Sequence, residues 1–144
     1  MWTSFSVRSL HYVERVGEMM ERVFRWLRPR GSFVFSVEHL LRHANRAGEW
    51  TRDASGRPQA WPVDAYLDME PSRLERNGVT QTRWPRTVSY YVQEPLRCGF
   101  MIREVHERNM TEEGRLLNPA GAEKIQRVPP VLIVRADKPG GGLS

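Results

Sequence analysis

An α/β fold is what the sequence predicts, and three observations predict it. An amphipathic run ends on a proline and a glycine and passes straight into a short apolar stretch, "LRPRGSFVFSVEH". A second helical pattern makes the same passage at "LRCGFMIREV", and the last apolar run, "PPVLIVRADK", is strand-length and β-branched. The 144 residues suit one domain, at 40% hydrophobic and 27% charged, the balance of an ordinary folded chain.

The elements follow in order. "TSFSVRSL" reads as a first strand, only marginally apolar. From Tyr12 to Leu27 the apolar residues Val13, Val16, Met20, Val23 and Leu27 recur at three- and four-residue spacing, one face of a helix. Glu18 with Arg22 and Glu21 with Arg25 then stand four apart in the favourable order. Pro29 cannot continue that helix, and Gly31 readily takes the turn conformation that leaves it. "SFVFSV" is too short for a helix and suits a strand buried on both faces, the second half of a βαβ unit.

Residues 41–86 show neither period and are broken by Gly48, Gly56, Pro58, Pro62, Pro71 and Pro85, while Trp50, Trp61, Tyr66 and Trp84 give them something to bury. A Trp-rich insertion folding over a site as a lid is expected there. A helix from Thr87 to about Cys98 carries Val88, Tyr91, Val92 and Leu96, with Pro95 expected to kink or shorten it and Gly99 as its exit. "FMIREV" and Val131 to Ala136 are the remaining strands, so the domain runs over 1–138 and 139–144 form a flexible tail.

Composition narrows the function. No apolar run approaches the roughly 18 residues of a membrane span. The start "MWTSFSVRSLHYVER" lacks the pattern of a secretory signal, so a cytoplasmic protein is expected. Cys98 is the only cysteine, which excludes an internal disulfide, and its apolar setting suits a core filler rather than a nucleophile. The net charge of +5 comes almost wholly from arginine, with Lys124 and Lys138 the only lysines. Those charges are spread along the chain without a stripe, so a nucleic-acid surface is not expected.

"LHYV", the amphipathic helix, "LRPRGSFVFSVEH", the insertion with "WPVDAY", the helix ending "CGF" and the close "PPVLIVRADK" together resemble the C-terminal half of class I S-adenosylmethionine-dependent methyltransferases, over essentially Ser6 to Lys138. The resemblance implies a Rossmann-like sheet of seven strands, of which this chain supplies the fourth to the seventh, the last antiparallel and inserted beside the fifth. It implies S-adenosylmethionine as cofactor and a small-molecule methyl acceptor. In that family the cofactor rests on a glycine-rich loop after the first strand and on an acidic residue ending the second. Neither has a counterpart among these residues, so the chain is expected to be a truncated form with impaired cofactor binding.

In open α/β sheets ligands bind beyond the carboxyl ends of the strands. The resemblance therefore puts Ser9, Leu10 and His11 at the cofactor, and Tyr12, Ser36, Glu38, His39, Tyr66 and Arg86 at the acceptor. His11 and His39 are the candidate bases, because imidazole titrates near neutrality, or else they orient loops through hydrogen bonds. Glu38 either anchors a cationic acceptor or pairs with Arg42. His39 and His43 are four apart, but Glu38 precedes them rather than following the first histidine as a zinc-hydrolase helix requires, so no metal is expected. The family's His-Arg-Thr element is "RWPRT" here, keeping Arg86 and Thr87. "YLDMEPSR" replaces the family's shorter acidic-glycine form.

An exposed edge on the first strand is expected to take a second copy or a complementing N-terminal half. The alternative function is a non-catalytic binding module that uses an Arg-rich surface for an acidic or nucleic-acid partner.

Overall fold

The computed structural model describes residues 4–141, with side chains from Ser9 onward. The apolar faces expected of the first strand, and the end of the expected tail, lie outside the described residues. Strand β1 (Ser4–Arg8) leads through a 3-10 turn, Leu10–Tyr12, to helix α1 (Val16–Trp26), β2 (Ser32–Glu38) and the short α2 (Leu40–His43). Two hairpins follow, β3 (Thr51–Arg52) with β4 (Pro58–Ala60), and β5 (Ser72–Arg76) with β6 (Val79–Arg83). The chain then forms α3 (Val88–Arg97), β7 (Met101–Glu107), α4 (Glu112–Leu117), α5 (Pro119–Arg127) and β8 (Val131–Asp137).

The main sheet has the order β1-β2-β8-β7, with β1 parallel to β2 and β8 antiparallel to both its neighbours. This is the order the resemblance implies. Along β2 and β8 burial alternates: Phe33, Phe35, Val37, Leu132, Val134 and Ala136 are buried, whereas Val34, Ser36, Ile133 and Arg135 are only partly covered. The expectation of a strand buried on both faces is therefore corrected. Val16, Met20 and Val23 of α1 and Tyr91 of α3 cover one face, each apolar side chain contributing about 1.5–3 kcal/mol. The other face carries polar links instead, Ser32 donating to Asp137 at 2.7 Å and Arg135 lying 3.3 Å from Asp137 and 3.5 Å from Glu104.

Helix α1 starts at Val16, four residues later than its apolar period suggests. The cause is Arg86, whose guanidinium donates to the carbonyls of Leu10, Val13 and Glu14 and so holds the preceding loop out of helical geometry. At the other end Arg30, not Gly31, takes the left-handed conformation, at φ 66°. Gly31 is buried and bonded through its carbonyl to the Lys138 N–H at 2.8 Å. Lys138 also donates its ammonium to the carbonyls of Phe24 and Leu27, at 2.7 and 2.9 Å, and lies 4.6 Å from the centre of the Phe24 ring. A cation on the last carbonyls of a helix offsets its dipole and satisfies groups that have no partner within the helix.

Helix α3 matches its expected span, with Thr87 as N-cap accepting from the Tyr90 N–H and Cys98 as C-cap. Pro95 does not shorten it: the helix runs on to Arg97, and the Pro95 carbonyl accepts from the Phe100 N–H. Gly99 leaves it at φ 101°, where an added Cβ would stand 3.1 Å from the Phe24 ring. Cys98 is half-buried, and burial raises its thiol pKa, as a core filler requires. Helices α4 and α5, capped by Thr111 and Asn118, were not anticipated. No helix among the described residues is long and apolar enough to cross a membrane.

Lys138→Met is expected to destabilise the fold by about 1–2 kcal/mol, measured as the urea midpoint, because the α1 carbonyls lose their cation. An unchanged midpoint would show that water replaces the ammonium without loss.

Candidate functional site

The polar residues at the carboxyl ends of β1 and β2 owe their places to the loops that follow those strands. At the end of β1, Ser9 has φ 139°, a conformation that costs a non-glycine residue energy and that surrounding structure must impose. Leu10 is fully buried, and its carbonyl accepts both the Val13 N–H and Arg86. His11 is buried, with its ring 4.1 Å from Tyr12 and 5.5 Å from His43. The His11 Nδ1 is buried without a hydrogen-bond partner among the described residues.

At the end of β2, Glu38 meets Arg83 at 3.3 Å and the His43 Nε2 at 3.7 Å, the latter just beyond hydrogen-bond range. It does not pair with Arg42, because Glu38 still belongs to the strand and a helical four-residue reach does not apply. His39 caps α2: its Nδ1 accepts from the Leu41 N–H at 3.2 Å, which assigns the ring proton to Nε2, and that nitrogen lies 2.7 Å from Glu107 of β7. Both nitrogens of His39 are thus engaged, whereas both of His43 are buried without a hydrogen bond among the described residues, Nε2 keeping only its longer contact to Glu38. The spacing of the two histidines does not bring them to one point, and no group of three or more potential metal ligands stands together among the described residues.

Electrostatics separate the two ends of this cluster. Burial pushes the His11 pKa down from 6.5 to about 4, with His43, Arg83 and Arg86 adding to the effect and Glu38 opposing it. His43, then Arg83, hold the Glu38 carboxyl down from 4.5 to about 2 against the burial that would raise it. His11 is therefore neutral at pH 7 and free to accept a proton, as a weaker base than a free imidazole, with the Glu38 carboxylate favouring the protonated form.

Parts of the insertion touch these residues. Trp84 donates its backbone N–H to the His11 carbonyl at 2.8 Å, and the Tyr66 hydroxyl accepts from the Val88 N–H at 2.9 Å. Trp50 and Trp61 pack edge to face at 5.5 Å, with Arg127 over Trp50 at 4.5 Å, so this pair makes a small core of its own. Between α2 and the β5–β6 hairpin lies a groove of about 290 Å3, lined by residues that include Arg42, His43, Asp64, Arg73 and Arg83. Tyr66 and Arg86 border a far smaller recess beside it. Ser36 is half-buried on the less covered sheet face.

Of these groups the sequence did not single out Arg83, which lies in a stretch without periodicity. It brought His43 forward only as a metal partner of His39. Arg86 is 7% exposed and lies 5.2 Å from the centre of the Tyr90 ring, held by three backbone carbonyls instead of a carboxylate.

Comparison with known proteins bears on the whole arrangement. No family model matches the chain. An uncharacterized protein of Haemophilus influenzae is 22% identical over 133 residues, 90% of this chain and 51% of its own. A Listeria monocytogenes protein assigned as an S-adenosylmethionine-dependent methyltransferase superposes over 95% of this chain with a TM-score of 0.83 and 31% identity. The chain has a class I methyltransferase-like fold. An S-adenosylmethionine-dependent methyltransferase from Mesorhizobium loti is similar to the same extent, with a TM-score of 0.80 and 32% identity over 95% of this chain. The chain spans about half the length of the Haemophilus influenzae protein and 60–61% of the two methyltransferases.

Two predictions follow from the cluster. An unfolded histidine takes up its proton below about 6.5 and the folded His11 only below about 4, so the unfolded state binds more protons between those values. The Glu38 shift acts between 4.5 and about 2 in the same sense. Stability is therefore expected to be full above pH 6.5 and to fall as the pH drops through both windows; His11→Gln should flatten the upper step and Glu38→Gln the lower, in urea midpoints taken from pH 7 to pH 2.5. Arg86→Met should cost at least about 3 kcal/mol, read in the same way, since three buried carbonyls lose charged donors. Arg86→Lys should restore only part, an ammonium being unable to reproduce the planar fork.

Proposed function

We propose that the chain is the acceptor-side part of an S-adenosylmethionine-dependent methyltransferase acting on a small molecule held between α2 and the β5–β6 hairpin. The observation that carries this reading is the 31–32% identity to two such proteins across 95% of the chain, with TM-scores of 0.83 and 0.80. Methyl transfer from a sulfonium is an in-line displacement, so the protein has to align the acceptor and receive any proton it loses. His11, whose buried Nδ1 has no partner among the described residues, is the residue for that proton; at about 4 its pKa makes it a weaker base than a free imidazole, and the Glu38 carboxylate nearby offsets part of that loss. His39, engaged at both nitrogens, is a positioning residue that sets the start of α2, and Arg86 positions the loop that carries His11.

The residues present fit one wall of a cofactor site only. Ser9, Leu10 and His11 reach it from the end of β1, where the buried His11 Nδ1 lacks a partner. Among the described residues no strand passes through a glycine-rich loop into a helix. When bound, the cofactor supplies the electrophilic methyl group. The rest of its cradle would come from a part of the domain that pairs along β1, whose single sheet neighbour among the described residues is β2. A second copy of the chain could use the same edge.

Titration of the 144-residue chain with S-adenosylmethionine is expected to show no saturation below about 1 mM. Adding the portion of the Listeria monocytogenes protein that this chain does not span should restore binding and methyl transfer. Tight one-to-one binding by the chain alone would overturn the partial-site reading, and a monodisperse monomer in light scattering would exclude the second copy. In the complemented enzyme His11→Gln should lower kcat by about 10²–10⁴-fold with little change in KM.

A further inference from the structure

The groove between α2 and the β5–β6 hairpin has an imbalance in its polar lining. Its four arginines are Arg42, Arg46, Arg73 and Arg83. Arg46 is paired with Asp68, and Arg83 with Glu38. Arg42 and Arg73 have no side-chain hydrogen bond or ion pair among the described residues, and the Arg42 Nε is buried without a partner. His43, 5% exposed at its side chain, stands next to Arg42 on the same wall, its Nε2 3.7 Å from Glu38 and its Nδ1 buried without a partner among the described residues.

A guanidinium can only donate, and burying one of its N–H groups without an acceptor carries a full desolvation cost. The carboxylates of the groove do not supply the acceptor. Asp68 is taken by Arg46, Asp64 accepts from the Ala65 N–H at 2.8 Å, and Glu70 lies exposed on the loop before β5 without an ion pair among the described residues. The buried Arg42 Nε therefore lacks an acceptor that an oxygen-rich ligand would supply, and Arg73, exposed on the β5 side of the groove, carries no ion pair that would keep it from the same ligand. At about 290 Å3 the groove sits at the lower end of the range for small-molecule sites.

We infer that the groove binds a compact small molecule carrying an oxyanion head group, a carboxylate or a phosphate, received by Arg42 and Arg73 with His43 beside them. Guanidinium is suited to this because its planar fork meets either oxyanion with two parallel hydrogen bonds. The acidic residues on the remaining lining disfavour a polyanion, so a ligand with one such group is the better match. The inference rests on reading the groove as the acceptor site, and it names the chemical class of that acceptor.

The test needs neither cofactor nor complementing part. The 144-residue chain is titrated at constant ionic strength with inorganic phosphate, with succinate and with uncharged succinamide, following tryptophan fluorescence and the thermal midpoint. Saturable binding of phosphate or succinate but not of succinamide is expected, and which anion binds more tightly separates the two head groups. Arg42→Gln and Arg73→Gln should each weaken binding about tenfold, whereas Arg25→Gln on α1, which removes the same charge outside the groove, should leave it unchanged; circular dichroism confirms the fold of each variant.

No saturable response to either anion, or equal weakening by Arg25→Gln, overturns the inference. If the complemented enzyme then methylates uncharged acceptors, the methyltransferase reading survives without it. Anion binding that depends on Arg42 and Arg73 in a chain that never supports methyl transfer keeps the anion site and removes the reaction.

Discussion

A buried guanidinium held by backbone carbonyls is the constraint on which the candidate site depends. Arg86 closes the insertion and donates to Leu10, Val13 and Glu14, residues that belong to the turn after β1. A charge at that depth needs acceptors, and carbonyls provide them only if the loop stays out of the helix. Three consequences come from one side chain: α1 begins late, His11 is fixed beside His43, and Trp84, two residues before Arg86, comes within reach of the His11 carbonyl. The site is therefore assembled by the end of the insertion as much as by the strands beneath it.

The sheet contributes a different kind of order. β8 lies between β2 and β7 and pairs with β2 along its whole length, from Ser32 with Asp137 to Glu38 with Val131. That pairing places Glu38 at the rim, while the cap formed by His39 on Leu41 turns the chain at once into α2 and carries Arg42 and His43 to the groove. The Glu107 contact of His39 ties the same turn to the far edge strand. One short span, 38–43, thus links the core sheet, the histidine cluster and the groove.

Much of this was legible in the sequence and the remainder was not, for identifiable reasons. The α3 boundaries were readable because Thr87 and Gly99 are local signals, and β8 because its β-branched run is bounded by Pro130 and a polar end. The start of α1 was misread because the arginine that displaces it lies some seventy residues away, beyond any local pattern. Burial of β2 on both faces was inferred from an apolar run, yet Ser32 and Ser36 within it signalled the polar face. Arg83 escaped notice because a short hairpin in a polar stretch has no period to mark it, and its partner Glu38 is 45 residues away.

The position of β8 also governs the order in which the molecule can be made. This strand sits inside the sheet but follows β2 by some ninety residues, and the lysine beyond it secures helix α1 through carbonyls up to 114 residues earlier. Until residues 131–138 leave the ribosome, β2 and β7 lack the strand that joins them, and the end of α1 is uncapped. Contacts of such long sequence separation form late and slowly. A nascent chain must therefore carry its open β2 edge until residues 131–138 emerge, the interval in which a chaperone or an unwanted strand partner has access to it.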